Sequence, residues 1–255
     1  MDAVASLPEL WRSGGTALGA WISLREPLLA EVAANSGYDY VCVDMQHGLA
    51  DYEQTMSLLH AVARTPAIPI VRVPWNEQGI IGRVLDAGAL GVIIPMVNSP
   101  EEARRAVAAC RYAPDGARSF GPLGAGIRHG AGYLGTANER VACIPMIETR
   151  QAVEGIDDIL EVGGIDAVYV GPADLSLTYG LPPAMDNPGD VFDTALATVV
   201  DACKRHGVVP GIHTSAALAA KRYQAGFRMM TVGSDMQGVM QAFRADVKTA
   251  RDATV

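Results

Sequence analysis

The fold can be recognised from residues 142–174, which read ACIPMIETRQAVEGIDDILEVGGIDAVYVGPAD. The stretch begins with the apolar run Ala142–Ile147, continues through a helical pattern over Gln151–Glu161, and ends in a second apolar run, Ala167–Val170. Short, continuous apolar runs are typical of strands that are buried on both faces of a parallel sheet. The stretch therefore predicts a strand–helix–strand unit in which a polar segment follows each strand.

The same alternation extends in both directions along the 255 residues. Eight apolar runs alternate with Ala- and Leu-rich helical patterns, and this number and length are those of an α/β fold, the (β/α)8 TIM barrel. An open, doubly wound sheet is the alternative. Because no composition change marks a boundary, we predict a single domain over residues 1–255. The predicted strands are Ala17–Ile22, Tyr40–Val43, Ile68–Val73, Gly91–Pro95, Ala142–Ile147, Ala167–Val170, Val208–Ile212 and Met229–Val232.

Two long segments, Tyr112–Asn138 and Leu175–Asp190, show neither pattern and are predicted to be irregular. The first is rich in glycine, and the second contains LPPAMDNPG. Long loops within a compact domain are usually functional or mobile.

The composition excludes several classes of protein. With 20 Lys and Arg against 28 Asp and Glu, the net charge of −8 argues against nucleic acid and an anionic membrane surface as partners. No apolar run approaches the ~18 residues of a membrane span, and the first residues lack the basic and apolar regions of a signal peptide. The four cysteines form no CxxC motif, so we expect free, mostly buried thiols in a reducing cytoplasm.

Polar side chains follow several of the predicted strands. In a (β/α)8 barrel the active site lies where the strands end and the following loops begin, so these side chains converge on one mouth of the barrel. They are Asp44 and His47 after the second strand, Arg72 near the end of the third, Glu148 after the fifth, Asp174 after the sixth and Asp235 after the eighth.

Glu148 and Asp174 follow adjacent strands and predict a metal site. Two carboxylates placed together repel each other unless a cation lies between them. Two protein oxygen ligands leave coordination positions for water and substrate, which suits Mg²⁺ or Mn²⁺. The alternative is that Glu148 pairs with Arg150 or another loop arginine and that Asp174 caps the following turn.

Arg72 ends an apolar run, where an arginine needs a partner. It either pairs with a carboxylate such as Asp44 or Glu148, or it binds a substrate carboxylate through two hydrogen bonds. His47 lies three residues after Asp44, and a histidine held by an aspartate is a common general base. A loop histidine without a role is the alternative.

The three lysines, Lys204, Lys221 and Lys248, fall in predicted helices away from the strand ends. A Schiff-base mechanism needs a lysine in the mouth, so carbanion chemistry here would use a metal as the electron sink. The sequence contains no GxGxxG, Walker A or GxSxG motif. We therefore expect no PLP, no NAD and no Schiff-base lysine.

Several motifs resemble those of the HpcH/HpaI aldolase family: VDMQHG, IVRVPWN, VIIPMVNSPEEARRAV, IPMIETRQAV, VGPADLSLTYG and PGIHTSAALAAKRYQAGFRMMTVGSD. The resemblance extends over roughly residues 5–250. It implies a metal-dependent (β/α)8 class II pyruvate aldolase, similar to 4-hydroxy-2-oxoheptanedioate aldolase. Such an enzyme reversibly cleaves 4-hydroxy-2-oxo acids to pyruvate and an aldehyde through a pyruvate enolate held on Mg²⁺ or Mn²⁺, with Co²⁺ a further candidate.

The resemblance also implies roles for individual residues. Glu148 and Asp174 would bind the metal, and His47, oriented by Asp44, would be the acid and base, acting through water. Arg72 would bind the pyruvate and stabilise the enolate. The pyruvate carboxylate would be held by the main chain of Gly171, Pro172 and Ala173.

Members of the family assemble as trimers of dimers that exchange the last helix, so the resemblance implies a homohexamer with a swapped C-terminal helix. We also expect oxaloacetate decarboxylation as a side activity. The alternatives are a lyase for a CoA thioester of the citramalyl- or malyl-CoA type and a non-catalytic protein that binds a 2-oxo acid. The first predicts a basic nucleotide pocket, which an acidic, lysine-poor chain does not obviously offer.

Two positions depart from the family pattern. Met146 stands where the family often has Gln, and Gly124 stands where it usually has an arginine that helps to select the aldehyde. Arg118 or Arg128 could replace that arginine.

Overall fold

Eight parallel strands close into a barrel in the computed structural model, which describes residues 6–254. Each strand pairs with the next along the chain, and the last pairs with the first. The closed order confirms the (β/α)8 prediction and excludes the open sheet. The strands are β1 (Ala17–Ile22), β2 (Tyr40–Asp44), β3 (Ile68–Arg72), β4 (Gly91–Ile94), β5 (Ala142–Ile147), β6 (Ala167–Val170), β7 (Val209–His213) and β8 (Met229–Ser234).

Helices lie between the strands and cover the outside of the barrel. They are α1 (Leu7–Arg12), α2 (Pro27–Ala34), α3 (Tyr52–Val62), α4 (Gln78–Ala87), α5 (Pro100–Cys110), α6 (Leu123–His129), α7 (Tyr133–Arg140), α8 (Arg150–Glu154), α9 (Ile156–Leu160), α10 (Pro172–Thr178), α11 (Asp190–His206), α12 (Ala219–Gln224) and α13 (Asp235–Thr254).

Three predictions of secondary structure were wrong in detail. The segment Tyr112–Asn138 is not irregular, because it contains α6 and most of α7. The helix predicted over Gln151–Glu161 is divided at Gly155 into α8 and α9, since Gly155 leaves the helical conformation. Helix α10 extends into the segment Leu175–Asp190, which was predicted to be irregular throughout.

Successive residues of each strand point alternately into the barrel and towards the helices. On β3, for example, Ile70 belongs to the cluster inside the barrel and Val71 to the cluster between strands and helices. Both faces are apolar, which is why the strands read as continuous apolar runs. The inward rows continue to the carboxyl ends of the strands, where they end in Asp44, Arg72, Glu148, Gly171 and His213.

The other end of the barrel is closed by α1. Leu7 is fully buried and packs in the same inner cluster as Ala17 and Ile68. Ser6 and Glu9 form a capping box that begins this helix. The barrel therefore has one open mouth, at the carboxyl ends of its strands.

The four cysteines are free and buried, as predicted. No helix in the described part of the chain has the length and apolar character needed to cross a membrane. The predicted domain 1–255 also includes residues 1–5 and 255, which lie outside the described residues.

Candidate active site

A cavity of about 420 Å³ opens at the carboxyl ends of the strands. Its wall contains most of the side chains that the sequence analysis singled out, together with the main chain at the start of α10. The lining residues are Trp21, Ser23, His47, Arg72, Met146, Glu148, Tyr169, Gly171, Pro172, Ala173, Asp174, Met185, His213, Ser234, Met236 and Gln237.

Arg72 and Asp44 end neighbouring strands and face each other in register. Arg72 donates to both carboxylate oxygens of Asp44, from Nε at 2.8 Å and from Nη2 at 2.6 Å. Burial raises the pKa of Asp44, but the hydrogen bonds and charge of Arg72 outweigh burial and the pKa falls below its usual value. Of the two predicted partners of Arg72, a carboxylate of the chain and a substrate carboxylate, the pairing with Asp44 is observed, and Arg72 also lines the cavity.

Trp21, at the end of β1, holds this pair in place. Its Nε1–H donates to Asp44 at 3.1 Å, and its ring lies 4.8 Å from the guanidinium carbon of Arg72. Asp44 is buried beneath this group and does not line the cavity. Its carboxylate also accepts the main-chain N–H of Gln46 at 3.0 Å and that of His47 at 3.4 Å.

His47 lies on the loop after β2, is exposed, and lines the cavity. The hydrogen bond that joins it to Asp44 comes from its main chain, not from its imidazole. Asp44 therefore fixes the main chain of the loop that carries His47.

Glu148 immediately follows β5 and is buried in the cavity wall, where 2% of its surface is exposed. Its pKa is raised to about 7, mainly by burial and also by the charge of Asp174, against the lowering effects of the Met96 N–H and of Arg72. The main-chain N–H of Met96 donates to Oε1 at 2.8 Å. Met96 has a φ of +56°, a left-handed conformation that is unusual for a residue with a side chain.

Gly171, Pro172 and Ala173 carry the main chain around the cavity into α10, with Gly171 as the N-cap and Pro172 as the first helical residue. Asp174 lies in the first turn of this helix and is exposed to the cavity. The first N–H groups of a helix have no partner within it, so this turn presents main-chain donors beside two carboxylates.

Glu148 and Asp174 are the pair of acidic side chains that could hold a cation. Within residues 6–254 no cluster of three or more His, Cys, Asp or Glu side chains is arranged for a metal. A site built on this pair would therefore need further ligands from water and substrate. The alternative partner of Glu148, Arg150, instead lies over the ring of Tyr179, 4.6 Å from its centroid.

Asp235, the acidic residue after β8, serves the fold. Its carboxylate accepts the main-chain N–H groups of Ser23 at 3.1 Å and Leu24 at 2.8 Å, so it ties the loop after β1 to the start of α13. The lysines lie on α11, α12 and α13, and none of them is among the residues that line the cavity.

The structure explains one departure from the family pattern. A Cβ at Gly124 would lie 2.6 Å from the main-chain oxygen of Ala87, so close packing of α6 on the end of α4 requires a glycine. Arg118 is buried and pairs with Asp86 at 2.7 Å, and neither it nor Arg128 lines the cavity of this chain. Met146 lies in the cavity wall beside Gly171.

Two aromatic residues that no sequence motif indicates also belong to the site. Trp21 and Tyr169 line the cavity, with stacked rings whose centroids are 5.9 Å apart. Met96 was not singled out either. Tyr169 lies two residues before Gly171 on β6 and so faces into the barrel, and this position could have identified it as a residue of the site. No pattern in the sequence indicates the conformation of Met96.

Comparison with known proteins places this geometry in a family. The family model for HpcH/HpaI aldolase/citrate lyase matches residues 17–242. A hydroxypyruvate/pyruvate aldolase of Rhizorhabdus wittichii is 40% identical over 245 residues, with 94% of this chain and 96% of the relative covered. A 4-hydroxy-2-oxo-heptane-1,7-dioate aldolase of Salmonella heidelberg is 36% identical, with 88% and 86% covered.

A solved structure of a HpcH/HpaI aldolase/citrate lyase family protein from Burkholderia cenocepacia superposes with a TM-score of 0.88. It is 35% identical, and the match covers 96% of this chain and 98% of that chain. The chain belongs to the HpcH/HpaI aldolase/citrate lyase family.

Proposed function

We propose that this chain is a divalent-metal-dependent class II aldolase that reversibly cleaves 4-hydroxy-2-oxo acids to pyruvate and an aldehyde. The observation that carries the proposal is the presence of Glu148, Asp174 and Arg72 in the wall of one cavity. The two carboxylates supply oxygen ligands for a divalent cation. The guanidinium can bind a small anion that coordinates the same cation. The names of the relatives described above support the same class of reaction.

The donor set fits Mg²⁺ or Mn²⁺, with Co²⁺ a further candidate. The pKa of Glu148 is raised to about 7, mainly by burial and partly by the neighbouring Asp174, so a cation between the two carboxylates would stabilise both in the charged form. A cation bound there would supply Lewis-acid stabilisation of negative charge on the keto oxygen of a 2-oxo acid.

Arg72 binds and orients the 2-oxo acid in this proposal. Asp44 occupies one edge of the guanidinium, at 2.8 and 2.6 Å, and holds the other N–H groups at the cavity wall. There they donate to the keto oxygen, where negative charge develops as the carbon–carbon bond breaks. The main chain of Gly171, Pro172 and Ala173 lies against the substrate carboxylate at the start of α10, and the N–H groups from Ala173 onward donate to it, since Pro172 has no N–H.

His47 moves the proton. Acting through a water molecule, its imidazole takes the proton from the C4 hydroxyl, whose oxygen becomes the carbonyl oxygen of the aldehyde. The C3–C4 bond breaks and its electron pair remains on the pyruvate fragment as an enolate. The proton returns to C3 and gives pyruvate. Loss of carbon dioxide from oxaloacetate leaves the same enolate and takes no proton from a hydroxyl, so we propose this as a side activity.

The cavity does not favour the first alternative function. Its lining contains a single arginine and no lysine among the described residues, which is a poor match for the phosphates of a CoA thioester. The second alternative is a protein that binds a 2-oxo acid without reaction. It would have the same cavity lining, so only the formation of an enolate after binding distinguishes it from an aldolase.

Exchange of the methyl protons of pyruvate in D₂O tests the proposal. We expect the pyruvate methyl signal in ¹H NMR to disappear in the presence of Mg²⁺ or Mn²⁺ and to persist after chelation. Glu148→Gln and Asp174→Asn should each abolish both exchange and Mn²⁺ binding measured by calorimetry. Asp158→Asn, on the exposed surface of α9, is the matched control and should retain both. A persistent methyl signal in the metal-loaded protein would contradict the enolate chemistry.

We also propose that the chain forms a homo-oligomer, a hexamer, through its last helix. Helix α13 exposes an apolar stripe at helical spacing, formed by Met236, Met240, Phe243 and Val247. Exchange of this helix between subunits would cover the stripe. Light scattering after gel filtration should give the mass of a hexamer for the unchanged chain and a smaller species for Phe243→Glu. A monomer at all concentrations would contradict the assembly.

A further inference from the structure

His213 is a half-buried histidine of the cavity wall that has no part in the proton transfers described above. It is the last residue of β7, and its register partner on β8 is Thr231. Its ring lies edge-on to Trp21, with centroids 5.0 Å apart and planes at 90°. A ring held in this way presents a defined edge to the cavity.

Hydrogen bonds determine which nitrogen of His213 carries the proton. Nδ1 lies 3.3 Å from the hydroxyl of Tyr169, and this hydroxyl donates to Thr231 Oγ1 at 2.5 Å. Thr231 Oγ1 in turn lies 2.9 Å from the hydroxyl of Tyr40. Because the proton of Tyr169 is directed at Thr231, the Tyr169 oxygen accepts from Nδ1–H. The proton of the neutral ring is then on Nδ1, and Nε2 is an acceptor.

The ring is uncharged at neutral pH. The pKa of His213 is lowered to about 4, mainly by burial and also by the positive charge of Arg72, against the opposing effect of Asp44. A neutral imidazole accepts a hydrogen bond through its unprotonated nitrogen, whereas an imidazolium can only donate.

Among the polar side chains of the cavity that the proposed reaction does not use, His213 is the acceptor whose direction is fixed. Met185 and Met236 line the same cavity, and neither can satisfy a hydroxyl group. A hydroxyl that enters the cavity loses its water and is stabilised only where a partner replaces that water. Ser23, Ser234 and Gln237 complete the polar lining, but none of these side chains shows a hydrogen bond that would fix its direction in the described structure.

We propose that His213 is a specificity-determining residue whose Nε2 accepts a hydrogen bond from a substrate hydroxyl next to the reacting carbons. The inference rests on the proposed function and deepens it, because it names the substrate class as hydroxylated. The hydroxyl can belong to the 2-oxo acid, as in hydroxypyruvate, or to the aldehyde, as in glycolaldehyde. The chemistry recognised is the same in both.

Isosteric substrate pairs test the proposal. Hydroxypyruvate is compared with 2-oxobutanoate as the donor, and glycolaldehyde with propionaldehyde as the acceptor, since each pair exchanges a hydroxyl for a methyl group. In His213→Leu we expect the preference for the hydroxylated member, as a ratio of kcat/KM values, to fall about 10-fold in one of the two comparisons. The reaction of pyruvate with propionaldehyde should change less than about 3-fold.

Two further variants make the test specific. His213→Gln retains an acceptor and should preserve part of the preference. His60→Leu makes the same replacement on the exposed surface of α3 and should change neither preference. Calorimetric binding of hydroxypyruvate and 2-oxobutanoate supplies a measurement that does not depend on turnover. If the donor comparison changes, the binding ratio should change with it.

The outcomes separate this inference from the proposed function. A change in the donor comparison assigns the hydroxyl to the 2-oxo acid, and a change in the acceptor comparison assigns it to the aldehyde. An equal loss in all reactions, or unchanged preferences in both comparisons, would overturn the inference while the aldolase reaction stands. An unchanged protein that does not join pyruvate to propionaldehyde would overturn the proposed function, and this inference with it.

Discussion

Gly171 lies so close to Glu148 that a Cβ atom on Gly171 would overlap Oε2 of the carboxylate. The same Cβ would lie 3.0 Å from the terminal carbon of Met146. The absence of a side chain at the N-cap of α10 therefore makes room for the buried carboxylate on the neighbouring strand end. The position of Glu148 depends on this glycine.

Gly171→Ala should displace Glu148 without unfolding the barrel. We expect kcat/KM for aldol cleavage to fall about 100-fold, because a displacement of about 1 Å at a reacting centre has an effect of this size. Mn²⁺ affinity measured by calorimetry should fall with it. Gly163→Ala is the matched control, since its Cβ meets no atom within 4 Å. Full activity in Gly171→Ala would show that Glu148 does not need this position.

Arg72→Ala should reduce transition-state stabilisation by about 3 kcal/mol, which is more than 100-fold in kcat/KM. The reason is that the guanidinium donates to the oxygen on which charge develops. Steady-state kinetics of the retro-aldol reaction measure the effect. Arg104→Ala removes an exposed arginine of α5 that pairs with Glu101, and it should leave kcat/KM unchanged. Turnover near that of the unchanged protein in Arg72→Ala would refute its role.

His47→Ala should impair aldol cleavage far more than oxaloacetate decarboxylation. Only cleavage requires a proton to be taken from a hydroxyl group, and general-base catalysis of this kind contributes about 10²–10⁴-fold. Both rates are measured on the same preparation, with His60→Ala as the control. Equal losses in the two reactions would indicate that His47 supports the loop after β2 and does not move the proton.

Asp44→Asn should destabilise the fold in a pH-dependent way. The Arg72 partner lowers the pKa of Asp44 in the folded state, so its stabilising effect is complete above the unfolded pKa of about 3.9. It is lost as the pH falls through the lower pKa of the folded state. We expect the variant to have a free energy of unfolding about 3 kcal/mol lower at pH 6, because Arg72 is left buried without its partner.

Urea unfolding of both proteins between pH 6 and pH 2.5 measures this difference. The difference should shrink as the pH falls below about 3.9, because Asp44 of the unfolded chain then takes up a proton and the charged form in the folded state adds less stability. A difference that stays constant with pH would show that the ion pair does not stabilise the folded state.

Much of the fold and part of the site can be predicted from local patterns. Each strand and each long helix has its own signal in a few residues, and the alternation of eight such units predicts a closed barrel. Because active sites of barrels lie at the carboxyl ends of the strands, the polar residue after each run could be named. Arg72, Glu148 and Asp174 were found in this way, and they line one cavity.

Other features arise only when distant strands come together. The strands are apolar on both faces, so the sequence does not show the alternation that separates residues facing into the barrel from residues facing the helices. Trp21 and Tyr169 therefore look like ordinary core residues. Whether Arg72 pairs with Asp44 depends on the register of β2 against β3. The tautomer of His213 depends on a hydroxyl from β6 and one from β8. Such contacts follow from how the strands pair and turn around the barrel, and no short stretch of chain contains that information.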